Sequence, residues 1–579
     1  MQRDIIIDRL RQRAQHHGAD PAYFSEQASG WLSIDWHSYH QQVRAFAKAL
    51  AAVNVSFGAK VAILGGNRLE WVISCLGAQY AGCTSVGIYS SSSPDELSYV
   101  VDHSDAQVLV VENLKCYHKQ VGPQLEKLSK VSVIVLMSEE AVCEPRMLRF
   151  SDFLARGSHL SDIELDERQE KVRPIDVATL IYTSGTTGNP KAVMLSHESI
   201  AWTVRTVVQA WRCGPHDKAL SYLPLAHVAE QMFSCYAPID CGIQSYFAAS
   251  LDSFKSKLKE VEPTVFFGVP RVYEKIYEGI KSAFDEQGAV SKKALSYCAK
   301  VSQDYFRARL IGKMPSLWNN IQYNIAHKKI FQSIKNKIGL GKARLCMVGA
   351  APISKDILNF FCGIDIPIYE LYGQSENSGP ATICLPGQAK IGSTGKALPG
   401  SQVAIAHDGE VMIKGPHVFL GYYKDDSATK EALKDGWLYS GDIGSIDKDG
   451  FLFITDRKKD ILITAGGKNI SPQNIEAMLK QLPYVQSAVV VGDSKKYLVA
   501  LLSPDQERID GKSDDAIKRE INKELDKLNQ KLASVEQIKK FKLLANEFTV
   551  ESGEFTPTLK VKRKFVNQKY QREIAEMYQ

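Results

Sequence analysis

The stretch Tyr182-Thr183-Ser184-Gly185-Thr186-Thr187-Gly188-Asn189-Pro190-Lys191 constrains this chain more than any other. An apolar run enters it, Val177-Ala178-Thr179-Leu180-Ile181, and a helix-like run from Ser196 through Val208 follows. Strand, then small hydroxyl and glycine residues, then helix is the build of a phosphate cradle. Glycine lets the backbone approach an oxyanion closely, and hydroxyl and amide hydrogens donate to it. A Walker A loop is excluded. That motif places Lys-Ser or Lys-Thr directly after its second glycine, whereas Gly188 is followed by Asn189-Pro190-Lys191. Taken alone, the stretch reads equally well as a flexible Ser/Thr/Gly surface loop.

The flanking pattern decides the fold class. Helical spacing over about Ser33 to Ser56, with Val43, Phe46, Ala47 and Leu50 on one face, precedes the strand-like Lys60–Leu64. Helical Trp71–Gln79, a strand at Thr84–Ile88, helical Asp95–Val101 and strands at Gln107–Val111 and Val131–Leu136 follow. Such alternation predicts an α/β fold with largely parallel, covered sheets. The pattern resumes at Ala219–Leu223, Thr264–Gly268, Ala343–Val348 and Ile366–Tyr369. From Gly392 to Ile454 short strands and Pro-Gly or Asp-Gly turns predict a twisted β subdomain. The charged run Asp456-Arg457-Lys458-Lys459-Asp460 precedes a smaller unit, with a helix at Gln473–Leu482, a hairpin around Gly492-Asp493, a charged helix at Asp514–Leu532 and a basic tail. The expectation is a large domain over 1–458 and a small α+β domain over 459–579. A chain of 579 residues requires at least two cores in any case.

Composition narrows the function classes. A net charge of +6 is small for this length and argues against a nucleic-acid binder. The 11 cysteines include no CxxC pair and read as reduced thiols in a cytoplasmic protein. No stretch approaches the roughly 18 apolar residues of a membrane span. Peripheral membrane contact is not decided by the sequence. The Lys- and Arg-rich helical region from about Arg271 to Lys337 could be drawn to anionic lipid, but alternation of basic and apolar residues favours a solvated helical face.

Several further motifs occur in a fixed order. Tyr372-Gly373-Gln374-Ser375-Glu376, Tyr439-Ser440-Gly441-Asp442, Asp456-Arg457-Lys458-Lys459-Asp460 and Gly467-Lys468-Asn469-Ile470-Ser471-Pro472 follow the glycine loop. Together with Thr183–Gly188 they resemble the signatures of the adenylate-forming superfamily, which includes acyl-CoA synthetases, luciferases and peptide-synthetase adenylation domains. The resemblance covers nearly the whole chain. Tyr222–Gln231, Gly268–Lys275 and Phe555–Lys560 are similar to the long-chain fatty acyl-CoA synthetases. Gly87-Ile88-Tyr89-Ser90 and Ser375–Pro380 resemble the bubblegum-like branch.

The resemblance implies an ATP-dependent long-chain fatty acid–CoA ligase working through an acyl-adenylate, with ATP, Mg2+, coenzyme A and a long-chain fatty acid bound. The alternative within the superfamily is a fatty acyl-AMP ligase that loads a carrier protein. Thr183, Ser184, Gly185, Thr186, Thr187, Gly188 and Lys191 would cradle phosphates, and Glu376 with Thr187 would hold Mg2+. Tyr372 and Gly349-Ala350-Ala351 would receive the adenine, Gly373, Gln374 and Ser375 would join them in binding the nucleotide, Asp442 would take the ribose, and Arg457 the ribose or phosphates. Lys560 is implied as the lysine of the adenylation step, assigned from Thr556-x-x-x-Lys, although Leu559 stands where relatives have Gly. Lys562 and Lys564 would share its face if the tail were a strand. His227 would gate the acyl or thiol approach, with a packed histidine as the alternative. Lys459 matches the hinge about which the small domain turns, bringing the Gly467 loop to the site for thioester formation. Ala192, where relatives have Gly, would sit at the entry of the helix after the loop.

Overall fold

The computed structural model describes residues 3–27, 30–183, 189–248, 253–465, 468–509, 511–556 and 560–579. Its largest sheet has eight strands. Val177–Thr183, Thr84–Ile88, Lys60–Leu64, Ala106–Val111, Val133–Leu136 and Met147–Arg149 run parallel in that spatial order. Helices cover them, so these strands read as unbroken apolar runs. Val108 to Val111 are all fully buried. The helix Leu69–Tyr80 is buried on every side from Trp71 onward. Its neighbour Trp36–Ala52 is capped by Asp35, whose carboxylate accepts from the Ser38 N–H at 2.7 Å. That helix is shorter than the periodicity predicted, because Gly30–Asp35 forms a strand against Pro21–Gln27.

A second sheet runs Val265–Gly268, Leu345–Val348 and Ile368–Gln374 in parallel, then Gly379–Ile383 and Lys396–Ala397 antiparallel. A third has Lys218–Ser221, Gln244–Phe247 and Pro21–Gln27 parallel. The predicted β subdomain is antiparallel, with Gln402–Ile405, Glu410–Lys414, Trp437–Ile446 and Leu452–Arg457. The large N-terminal part therefore joins α/β sheets to a β subdomain, and a smaller α+β part follows. That smaller part packs Pro472–Leu479 and Asp514–Asn529 on the sheet Val485–Val491, Leu498–Pro504, Ile538–Leu543.

Two local expectations are corrected. The glycine loop does not lead directly into a helix. Lys191–Ser196 is a strand that returns antiparallel along Val177–Thr183, and only after it comes the expected helix, His197–Trp211, with Ser196 as its cap. The strands on either side of the loop are thus paired with each other, and Ala192 is a buried strand residue opposite Tyr182 rather than a helix entry. β-branched and apolar residues in Ala192-Val193-Met194-Leu195 suit a strand as well as a helix start, which explains the misreading. In the tail, Arg563–Lys569 is helical, so Lys564 does not share a strand face with Lys560.

The smaller part touches the larger at named points. Gln481 Nε2 donates to Ser354 Oγ at 2.7 Å, and Arg508 pairs with Glu278 at 2.8 Å. Asp456, at the end of the last large-part strand, accepts from Ser471 Oγ at 2.6 Å and from the Gln473 N–H at 3.2 Å. It thereby caps the helix Pro472–Leu479 from outside.

Candidate active site

The site is organised by one strand pair. Asp442 and Arg457 face each other across Trp437–Ile446 and Leu452–Arg457. Arg457 Nε lies 3.2 Å from Asp442 Oδ1, while the Tyr372 hydroxyl donates to Asp442 Oδ2 at 2.7 Å. The buried carboxylate therefore fixes a tyrosine from one sheet and an arginine from another, and retains lone pairs for a further donor. The turn before it is held by its neighbours. Ser440 Oγ donates to Val411 O at 2.7 Å, and Gly441, at φ 74°, gives its N–H to Glu410 Oε1 at 2.9 Å.

Gly373 follows Tyr372 at a register shift between strands. A Cβ there would stand 1.8 Å from Gly379 O, so no other residue fits. The strand then ends in the short turn Ser375–Asn377, which carries Glu376. Glu376 Oε1 accepts from the Tyr422 hydroxyl at 2.8 Å, and Oε2 has no protein partner among the described residues. Tyr422 also receives Lys191, whose Nζ lies 4.9 Å from the ring centroid. Thr183 and Lys191 are paired across the two strands that flank the loop. Ser184 to Gly188, and with them the Thr187 metal assignment, lie outside the described residues, as does Gly467.

Lys560 enters from the smaller part. A two-way lock places it: the Thr556 N–H donates to Lys560 O at 2.8 Å and the Lys560 N–H donates to Thr556 Oγ1 at 3.1 Å. Lys560 is exposed to the cavity that it lines, and the protein around that cavity pushes its ammonium down to about 8 by desolvation. Arg457 lowers it further, while Asp442 and Glu376 oppose the shift. His227 is pushed down to about 3, first by burial and then by the Lys560 charge. It is therefore a neutral imidazole near pH 7. Its Nδ1 accepts from the Ala229 N–H at 3.3 Å, which leaves the proton on Nε2. Behind it, buried Glu230 accepts from Ser221 and Ser234 hydroxyls, both at 2.6 Å, and burial raises it to about 7.

Tyr372, Asp442, Arg457, Glu376, Tyr422, Lys191, Lys560 and His227 line a cavity of about 1700 Å3, which also includes Ala350, Ala351, Gln374, Ser375, Lys459 and Thr556. Gly349 does not line it. Its bare Cα makes room for Leu371, whose Cδ1 would lie 2.6 Å from a Cβ. The other end of the cavity is apolar, with Val204, Val208, Trp211, Phe233, Phe267 and Met347. Sequence reasoning missed this end, because its walls come from four separate elements. It also missed Tyr422, which belongs to no motif, and Glu370, a cavity carboxyl that burial raises to about 8.

A family model described as AMP-binding enzyme matches residues 10–423, and one described as AMP-binding enzyme C-terminal domain matches 459–579. The chain belongs to the AMP-binding enzyme family. Within this family it is similar to the long-chain-fatty-acid–CoA ligase ACSBG2 of Xenopus laevis, at 35% identity over 99% of this chain and 84% of the relative. ACSBG2 of Homo sapiens is 33% identical, over 99% and 92% of the two chains. ACSBG1 of Bos taurus, also named a long-chain-fatty-acid–CoA ligase, is 32% identical over 95% and 81%. Among solved structures, the anthranilate CoA ligase AuaEII in complex with anthranoyl-AMP superposes with a TM-score of 0.77 at 19% identity, over 99% of both chains. The o-succinylbenzoate CoA synthetase MenE of Bacillus subtilis, with its acyl-adenylate, gives 0.72 at 21% identity over 98% of both. These two establish that the AMP-binding enzyme fold extends over both parts of the chain.

Proposed function

We propose that this protein is an ATP-dependent long-chain fatty acid–CoA ligase that forms an acyl-adenylate and passes the acyl group to the coenzyme A thiol. The observation that carries the reading is the cavity's two-ended character. A polar end with Tyr372, Asp442, Arg457, Glu376 and Lys560 continues into an apolar end between Trp211, Phe233, Phe267 and Met347. A nucleotide suits the first and an alkyl chain the second. The relatives' names point the same way.

A carboxylate is a poor acyl donor because its oxygen leaves badly. Attack of that oxygen on the α-phosphorus of ATP expels pyrophosphate and makes AMP the leaving group. Negative charge gathers where the two anions meet, so a compact cation is required there. Lys560 supplies it, in its protonated form. Tyr372, fixed through its hydroxyl, offers a ring to the adenine, and Asp442 accepts from the ribose hydroxyls. Thr183, Lys191 and the loop between them hold the departing phosphates. Glu376 fits a Mg2+ ion: one oxygen is oriented by Tyr422, the other has no partner among the described residues, and Mg2+ is commonly held by one or two carboxylates plus substrate phosphates. The ion, when bound, supplies charge neutralisation on those phosphates.

The second step sets a thiol against the same carbonyl, where Lys560 is no longer wanted. We assign the exchange to rotation of residues 459–579 about Lys459, which brings the Gly467 loop to the site. Neutral His227, a lining residue of the same cavity, would border the acyl path.

The test is to incubate the protein with palmitate, ATP, Mg2+ and CoA and to follow AMP, pyrophosphate and thioester. All three are expected in equal amounts. An adenylate that accumulates and yields no thioester with CoA would overturn the ligase reading in favour of carrier-protein loading.

A further inference from the structure

The segment 288–331 differs from the rest of the surface. It holds six lysines and two arginines against one acidic residue, Asp304, whereas the whole chain has 71 Lys and Arg to 65 Asp and Glu. All of these cations are exposed. Arg307 pairs with Asp304 at 3.2 Å, and the others form no ion pair among the described residues.

The segment folds as two antiparallel helices, Ala289–Leu310 and Leu317–Ala326. Asn319 Nδ2 donates to Val301 O at 3.0 Å, and the Gln322 amide donates to the Tyr297 hydroxyl. Ser302 Oγ and Gln303 Nε2 bind the backbone of the helix Lys355–Gly363 at 2.6 and 3.0 Å, which fastens the inner face. The outer face was expected to be a solvated one. Its cations are indeed exposed, but apolar side chains are exposed beside them. Met314 is 83% exposed, Leu317 84%, Trp318 67%, Ile321 51% and Ile325 60%. Positions 317, 318, 321 and 325 fall within an arc of about 100° at helical spacing, a continuous stripe rather than scattered residues. Single exposed apolar residues are ordinary, whereas a contiguous patch of this kind marks an interaction surface.

We propose that this helix pair docks on an anionic lipid bilayer, with Met314, Leu317, Trp318 and Ile321 entering the headgroup–acyl boundary and the flanking lysines at phosphate level. The chemistry on the page selects this occupant. An amphipathic helix with Trp and Leu on one face and Lys beside them lies in a membrane interface. A second copy docked through the same patch would bring like charges together. A nucleic acid would pair with the lysines but give no cover to Met314, Leu317 or Ile321. The inference stands on the surface alone and is independent of the reaction assigned above.

The test is sedimentation of the full chain with vesicles of phosphatidylcholine alone or mixed with phosphatidylserine, at low and high salt. Binding is expected to the mixed vesicles and to weaken with salt. The variant Leu317→Ser/Trp318→Ser/Ile321→Ser should bind about tenfold less or weaker still, and so should Lys328→Glu/Lys329→Glu. Thermal melts check the fold, and should the serine variant melt early the charge variant carries the comparison. Absence of wild-type binding, or equal binding by both variants, overturns the proposal. So does a wild-type dimer, seen by sedimentation velocity without vesicles, that the serine variant dissolves. Binding to a polynucleotide that the serine variant loses equally would overturn it too.

Discussion

The two walls of the cavity's polar end are made differently. The wall from the large part is a set of mutual constraints. Asp442 holds Tyr372 and Arg457 from two strands, and Tyr422 holds both Glu376 and Lys191. The wall from the smaller part carries Lys560, whose backbone is held by two bonds to Thr556 and whose ammonium forms no ion pair among the described residues. If residues 459–579 turn as proposed, the first wall stays and the second leaves. The large part supplies Asp442, Glu376 and the cations Arg457 and Lys191, and the smaller part adds one more cation, Lys560. That division is what a two-step reaction at one carbonyl requires.

The comparison breaks first at Lys560. Lys560→Ala should lower acyl-adenylate formation on the order of a thousandfold, while thioester formation from supplied acyl-AMP stays within a few-fold. Equal loss in both steps would erase the distinction between the walls. In the wild type the adenylation rate should be full below pH about 8 and fall as pH rises through it, because the charged form is the active one and burial has depressed it. Asp442→Ala probes the other wall. It strips a buried partner from Tyr372 and Arg457, a loss of about 1–3 kcal/mol, so the apparent affinity for ATP and for acyl-AMP should each drop about tenfold to a hundredfold. An effect confined to one half-reaction would show that Asp442 belongs to the moving side. Tyr422→Phe is the mildest change. Loss of one hydrogen bond to Glu376 should raise the Mg2+ concentration needed for adenylation about twofold to tenfold, measured by titration of pyrophosphate release.

Legibility in the sequence followed locality. Gly373 announces itself because a neighbouring backbone leaves no room for a side chain, and Asp442 because a tight turn precedes it. Such demands act within a few residues and leave a motif. The parallel sheets were legible for the same reason, as runs such as Val108–Val111. Tyr422 was not legible, since it reaches the site through the pairing of Gly421–Tyr422 with the strand Lys191–Ser196, more than two hundred positions away in sequence. The apolar end was hidden because Val204, Phe233, Phe267 and Met347 look like any core residues until their elements meet. Lys191–Ser196 was misassigned for want of length, six residues being too few to separate the two periodicities.

Asp456 gives the pivot a definite character. Its carboxylate is buried, burial raises its proton affinity, and its acceptors are spent on Ser471, on Gln473 and on the next backbone N–H, that of Arg457 at 2.6 Å. If residues 459–579 turn about Lys459, the helix Pro472–Leu479 loses its external cap in the same motion that bares this carboxylate. Neither group can be half released. The joint then behaves as a detent rather than a bearing. In such a turn the bonds from Asp456 to Ser471 and Gln473 would break together.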